Sequence, residues 1–211
     1  MREYLRARTR FFDGVVAGAV GHRCPQVVIG AAGYDGCALR YAKPGVLWFE
    51  VDHPATQRDK RSRLDRLGID GGHLRFVAAD FTADPVADLL LSAGLDPRRP
   101  SLFLLEGVAV YLAEPVLWSL LAQLRRVAAD GSRLAISLSV SGGSPERTAR
   151  RAAFQAAVAA MGEPARSAVA GADADALLEA TGWQPVPEPG TGDRATHAGF
   201  IVAGPIAVPP T

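Results

Sequence analysis

The feature that most constrains this chain is an alternation. Short β-branched runs repeatedly precede stretches of helical periodicity, which is the pattern of a parallel sheet with helices on both faces. Strands are expected over residues 26–30, 46–51, 74–78, 101–105, 133–138, 183–186 and 198–203. Helical periodicity occupies 8–20, 35–41, 54–67, 86–93, 115–128, 145–161 and 173–181, with Pro54 and Pro115 suited to first helical turns. The last two strands are joined through Pro189-Gly190-Thr191-Gly192-Asp193, a turn-forming run that suits an antiparallel hairpin. The expected fold is α/β: a doubly wound, seven-stranded, Rossmann-like sheet with a terminal antiparallel hairpin, read as one domain over 1–211.

Composition removes several classes of function. A chain of 211 residues suffices for one packed domain, and a net charge of +1 lacks the field that drives general binding to nucleic acid or anionic membranes. No uncharged apolar run approaches the roughly 18 residues of a membrane span. The opening MREYLRARTRFF lacks the apolar core of a signal peptide, so the expectation is a cytoplasmic protein without nucleic-acid or membrane partners. Cys24 and Cys37 match neither a disulfide framework nor a zinc site and read as reduced thiols in or near the core. No metal is expected.

In open sheets of this kind ligands bind at the carboxyl ends of the strands. After the first strand comes Gly30-Ala31-Ala32-Gly33-Tyr34-Asp35-Gly36, a small-residue loop where backbone can approach a ligand, although small residues also serve tight strand-to-helix packing. After the second comes Glu50-Val51-Asp52-His53-Pro54. An acid here can accept hydrogen bonds from a ribose diol, close to the roughly 20-residue spacing of dinucleotide sites. The alternative for Glu50 and Asp52 is a solvated, helix-capping role. Asp80-Phe81 follows the third strand, an acceptor beside an aromatic that suits a purine and its exocyclic amine. After the fourth, Glu106 stands at the lip of an apolar strand, followed by Gly107 and Tyr111. The bland alternative is that Glu106 faces water and Tyr111 fills a gap between helix and sheet.

Five segments in this order and spacing resemble the leucine carboxyl methyltransferase family: residues 8–13, 33–35, 49–54, Ala79-Asp80-Phe81, and Glu106-Gly107 through Tyr111-Leu112. The resemblance extends through Met161-Gly162-Glu163-Pro164 and the Ala180-Thr181-Gly182-Trp183 turn. It implies a Rossmann-like methyltransferase sheet and S-adenosylmethionine (SAM) as cofactor. It also implies Arg8 on the methionine carboxylate, the loop with Ala31 and Gly33 against the methionine part, Asp52 on the ribose, Asp80 and Phe81 on the adenine, and Glu106 close to the methionine amino group. Relatives usually have Leu-Gly-Ala-Gly where this chain has Gly30-Ala31-Ala32-Gly33, so Ala31 puts a Cβ at the tightest turn. They favour Thr-Arg where this chain has Gly36-Cys37, which removes a cation near the cofactor entrance. They also carry several tens of residues before the Arg8 segment as a lid. With 1–23 as the N-terminal helix, the pocket is expected to be more open here, or closed by a partner subunit in a homodimer.

For a sulfonium methyl donor, alignment and exclusion of water supply much of the catalysis. A carboxylate acceptor is already ionised, whereas an alcohol or phenol needs a base. His53 adjoins the acid Asp52 but reads equally as a loop residue, and no His sits in an obviously catalytic position. This tilts the choice toward carboxyl O-methylation of a small-molecule acceptor in secondary metabolism, with Glu106 and Tyr111 as the candidate catalytic groups. Residues 141–165 read as a substrate cap in which Arg147 and Arg151 orient an anionic group and Phe154 and Met161 contact an apolar body. The other reading of this stretch is an ordinary amphipathic helix. Two competing functions remain at this stage: a methyltransferase fold that has lost methyl transfer and acts as a non-methylating catalyst or binding partner, and a nicotinamide-dependent oxidoreductase, against which the glycine loop and terminal hairpin argue.

Overall fold

The computed structural model describes residues 2–138, 140–141, 169–187 and 199–207. In chain order over these residues the elements are α1 (Arg2–Gly21), β1 (Gln26–Gly30), α2 (Cys37–Arg40), β2 (Leu47–Asp52), α3 (Pro54–Arg66), β3 (Leu74–Ala78), α4 (Val86–Ser92) and β4 (Ser101–Leu105). A 3-10 turn at Ala109–Tyr111 leads into α5 (Glu114–Arg126), β5 (Arg133–Ser137), β6 (Val140–Ser141), β7 (Val169–Ala170), α6 (Gly171–Ala180), β8 (Trp183–Pro185) and β9 (Phe200–Pro205).

Seven strands form one sheet in the order β3-β2-β1-β4-β5-β9-β8. The first five are parallel, and β9 runs antiparallel to both β5 and β8. This is the expected sheet, its last two strands paired as an antiparallel unit. Strand order reverses between β1 and β4, so the carboxyl ends of β1, β2 and β4 open on one crevice.

The period of two along each strand builds two cores. Val28, Phe49, Val51, Phe103 and Leu105 face α4, α5 and α6, while Val27, Ile29, Trp48, Leu102 and Leu104 face α1 and α2. Every residue of β1 and β4 is buried, as a strand covered by helices on both sides requires. On α1 the residues Phe11, Phe12, Val15, Val16 and Val20 make the buried stripe, each full burial worth roughly 1.5–3 kcal/mol. Trp183 keys β8 to α5: its indole Nε1 donates to Leu121 O at 3.0 Å while the ring meets Phe103 edge-on. At the amino end of the sheet Gln26 clamps the strand entry, accepting from Asp96 N (2.7 Å) and donating to Asp96 O and Ser101 Oγ (both 3.0 Å).

The N-terminal helix, Arg2–Gly21, falls within the expected 1–23 and extends beyond the apolar stripe at 8–20, since a solvated turn needs no apolar residue. Two differences from expectation have local causes. The second helix begins at Cys37 instead of Asp35, because the Asp35 carboxylate accepts from Cys37 N (2.7 Å) and holds the preceding residues in a turn. The short parallel pair β6–β7 was not expected, and two residues are too few to show alternation. The expected helix over 145–161 and the turn at 189–193 lie outside the described residues.

Candidate functional site at the strand ends

The loop after β1 is built on two departures from ordinary backbone, on either side of Ala32. Ala31 has φ +54° and Gly33 φ +48°. For Ala31 this left-handed conformation costs roughly 1–2 kcal/mol, so the extra methyl group sits where glycine would be unstrained. The loop is held by Ala32 N donating to Val51 O (3.2 Å), by Asp35 N donating to Ala32 O (2.8 Å), and by Gly33 N donating to the Asp52 carboxylate. Asp52 accepts a second bond from His53 N at 2.6 Å. It therefore stands between the loop and the start of α3, half-buried and facing the crevice rim. The helix cap is His53, whose Nδ1 accepts from Ala55 N.

The solvated reading of Glu50 is overturned. Its side chain is 1% exposed and paired with Lys60 of α3, Nζ to Oε2 2.6 Å. Periodicity could not reveal this, because a single acid in a strand looks the same whether water or an ammonium faces it.

Asp80 accepts from Thr82 N (2.8 Å) and Thr82 Oγ1 (2.7 Å), and these bonds hold its carboxyl below the usual carboxylate range. It is thus ionised and fixed at the end of β3. Phe81 is half-buried and packs on the core, its ring tip 3.7 Å from where a Cβ on Gly30 would lie. Part of its surface therefore belongs to the sheet, and only the rest is open to the crevice.

At the end of β4, Arg8 Nε donates to Glu106 Oε1 at 2.8 Å across 98 residues of chain. Burial pushes the Glu106 carboxyl up and the Arg8 guanidinium pulls it back. Gly107 follows with φ +69°, a conformation that favours glycine, and a Cβ there would come within 2.8 Å of Arg8 Nη1 and displace the guanidinium. Its N–H donates to Ser137 Oγ at 2.7 Å, tying the lip of β4 to the end of β5. Tyr111 is half-buried in the 3-10 turn after this lip.

Two neighbours were absent from the sequence reading. Tyr4 packs against Phe200 of β9 with tilted rings (centroids 5.4 Å), and burial raises its phenol while the charges of Arg8 and Glu106 act on it. Ser137 is the other. A helix-terminal Tyr and a strand-terminal Ser carry no spacing signal. The cation expected to be missing at Cys37 has a near substitute, since Arg40 lies 3.8 Å from Cys37 Sγ and pairs with Asp13 at 2.9 Å. Cys37 itself is buried, and its thiol is pushed up to about 12 by burial and by Asp35, so it is inert.

The structure thus brings Arg8, Ala31, Gly33, Asp52, Asp80, Phe81, Glu106 and Tyr111 to the carboxyl end of one sheet. Arg147, Arg151, Phe154 and Met161, expected to meet the acceptor, lie outside the described residues. Among the described residues no helix is long and apolar enough to cross a membrane, and no group of three or more His, Cys, Asp or Glu could hold a metal ion.

Comparison with known proteins bears on the family and the fold. Residues 1–125 match the family described as leucine carboxyl methyltransferase. The segments at 161–164 and 180–183 lie beyond that match. A chain from Parafrankia sp. (strain EAN1pec), assigned to the S-adenosyl-L-methionine-dependent methyltransferases, is 41% identical over 139 residues, 64% of this chain and 44% of that relative. The chain spans less than half the length of the curated relatives it matches. Among solved structures, one described as a methyltransferase from Thermobifida fusca YX superposes with TM-score 0.68 at 14% identity, covering 98% of this chain and 83% of that one. The Burkholderia thailandensis 1,6-didemethyltoxoflavin-N1-methyltransferase, with 1,6-didemethyltoxoflavin and S-adenosylhomocysteine bound, gives 0.59 at 16% identity over 95% and 79%. These two likenesses establish the Rossmann-like methyltransferase fold.

Proposed function

Because the chain belongs to the leucine carboxyl methyltransferase family, we propose that it binds SAM at the carboxyl ends of β1 to β4 and transfers the methyl group to an oxygen of a small molecule, preferably a carboxylate, in secondary metabolism. The observation that carries this reading is the Arg8–Glu106 pair at the lip of β4. A cation and an anion held side by side there, each about one quarter exposed, match the carboxylate and ammonium of an amino-acid end. Asp52 supplies a carboxylate of the right reach for a ribose diol, and Asp80 an ionised acceptor for an exocyclic amine.

When bound, the cofactor supplies an electrophilic methyl group on a sulfonium. The protein's share is positional. Arg8 and Glu106 fix one end of the ligand, Asp52 and Asp80 the other, and Tyr111 lies close enough to the lip to orient an acceptor or take its proton. An ionised carboxylate acceptor asks for no base. Ala31 favours one rival reading, a methyltransferase fold without turnover, since its strained φ puts a methyl group on the cofactor loop.

Calorimetry with SAM, S-adenosylhomocysteine and NAD, followed by a methyl-transfer assay against carboxylates, phenols and alcohols, decides among these. Binding of the first two with turnover on carboxylates is expected. Binding without turnover on any acceptor would favour the rival, and heat with NAD alone would overturn both.

A further inference from the structure

One buried pair is not used by this site and lies directly beneath it. Glu50 stands two residues before Asp52, on the same face of β2. Apart from its ion pair with Lys60, its carboxylate has no hydrogen-bond partner among the described residues. Gln57, one turn before Lys60, fastens α3 over the sheet by donating to Glu50 O (2.7 Å) and Val77 O (2.8 Å). Taking two charges out of water is costly, and such a pair seldom returns that cost as stability, so its presence calls for another role.

Lys60 supplies one. The same Nζ donates to Asp35 O at 2.7 Å. Asp35 closes the far side of the loop: it bonds back to Ala32 O and caps the first residue of α2. On the near side sits Ala31 with its left-handed backbone. One ammonium therefore ties the interior of β2 to the loop that Ala31 strains. A second tie from α3, Tyr34 Oη to Asp59, lies at the surface.

We propose that Lys60, anchored by Glu50, is a positioning residue that holds the 31–36 loop in its cofactor-receptive shape against the strain at Ala31. The proposal rests on the reading that this loop receives the cofactor. Without the ammonium, Asp35 O loses its donor, Ala31 is free to relax toward negative φ, and the Gly33 N–H leaves Asp52.

The test is a double-mutant cycle with S-adenosylhomocysteine as the titrated ligand and a thermal melt for every variant. Lys60→Met is expected to weaken binding about tenfold or more. Because it leaves Glu50 buried and unpaired and can fail to fold, the decision falls to Glu50→Leu/Lys60→Met, which removes both buried charges. That variant should recover the melting temperature and still bind weakly. In the Ala31→Gly background, adding both substitutions should cost less than about threefold, since no strain then opposes the loop. Recovery of affinity together with stability would reduce the pair to a structural role and overturn the proposal, as would an equal loss in both backgrounds. No binding by the wild-type protein would instead overturn the cofactor reading on which the proposal stands.

Discussion

Two ion pairs, Arg8–Glu106 and Lys60–Glu50, each join a helix to an inner parallel strand near its carboxyl end, and they differ chiefly in access to water. The first has both side chains 26% exposed; the second has them 7% and 1% exposed. A pair that water reaches can exchange one partner for a ligand group at small cost, because each ion is already partly solvated. A buried pair cannot, since parting it strands a charge in a medium that does not solvate it. The rim of the crevice thus carries exchangeable charges and the layer below carries fixed ones. The first kind suits recognition and the second suits holding shape.

This contrast breaks most visibly in stability. Lys60→Met should cost about 3–5 kcal/mol in urea unfolding, and Arg8→Ala less than about 1 kcal/mol. Equal costs would mean that access to water does not separate the two. Ligand affinity should order the same positions differently: Glu106→Gln is expected to lose about 1.5–3 kcal/mol of S-adenosylhomocysteine binding by calorimetry, with little change in melting temperature. Asp52→Ala should lose about 1–3 kcal/mol of binding. Ala31→Gly releases the left-handed strain and should raise stability by about 1 kcal/mol, read from the urea midpoint at unchanged slope.

The rim pair also sets a pH dependence. Burial raises the folded-state Glu106 carboxyl above its ordinary value, so the folded protein holds that proton more tightly than the unfolded chain. The resulting stability is full below the ordinary value and is lost as pH rises through the raised one. Melts across about pH 4 to 8 should show this decline in the wild type and not in Glu106→Gln. The smallest effect is expected at the surface: Tyr34→Phe removes an exposed bond to Asp59 and should change stability by less than about 0.5 kcal/mol.

How much of this could be read from residues alone follows from the same division. The sheet was legible because β1, β2 and β4 present continuous apolar runs and their helices a 3.6-residue stripe. The placement of Asp52, Asp80 and Glu106 at the carboxyl ends of strands was legible, because each acid closes or follows an apolar strand. Lys60 was not, since a lysine on a polar helix reads as solvated until the fold sets it over Glu50. Ser137 and Tyr4 were missed for the same reason, as each matters only through a neighbour distant in sequence. The tight turn at Ala31, by contrast, was legible from the glycine it replaces, and its φ of +54° adds the strain that the sequence left open.

The place of β1 in the middle of the sheet bears on how the chain is made. Its partner on one side, β2, follows closely in sequence, whereas the pairing of Gln26 with Ser101 at the start of β4 spans 75 residues. Closing so long a loop adds little free energy, because the cost grows only with the logarithm of length. The delay is in time: at ribosomal rates the wait is roughly 4 to 15 s. Throughout it one edge of Val27-Val28-Ile29 lies bare, a template for pairing with a neighbouring nascent chain. The docking face of α1 must wait as well, since Leu102 and Leu104 are part of the surface it covers. Soluble yield should therefore track how quickly the ribosome crosses the segment between β2 and β4, and chaperones that shield strand edges should matter most in that interval.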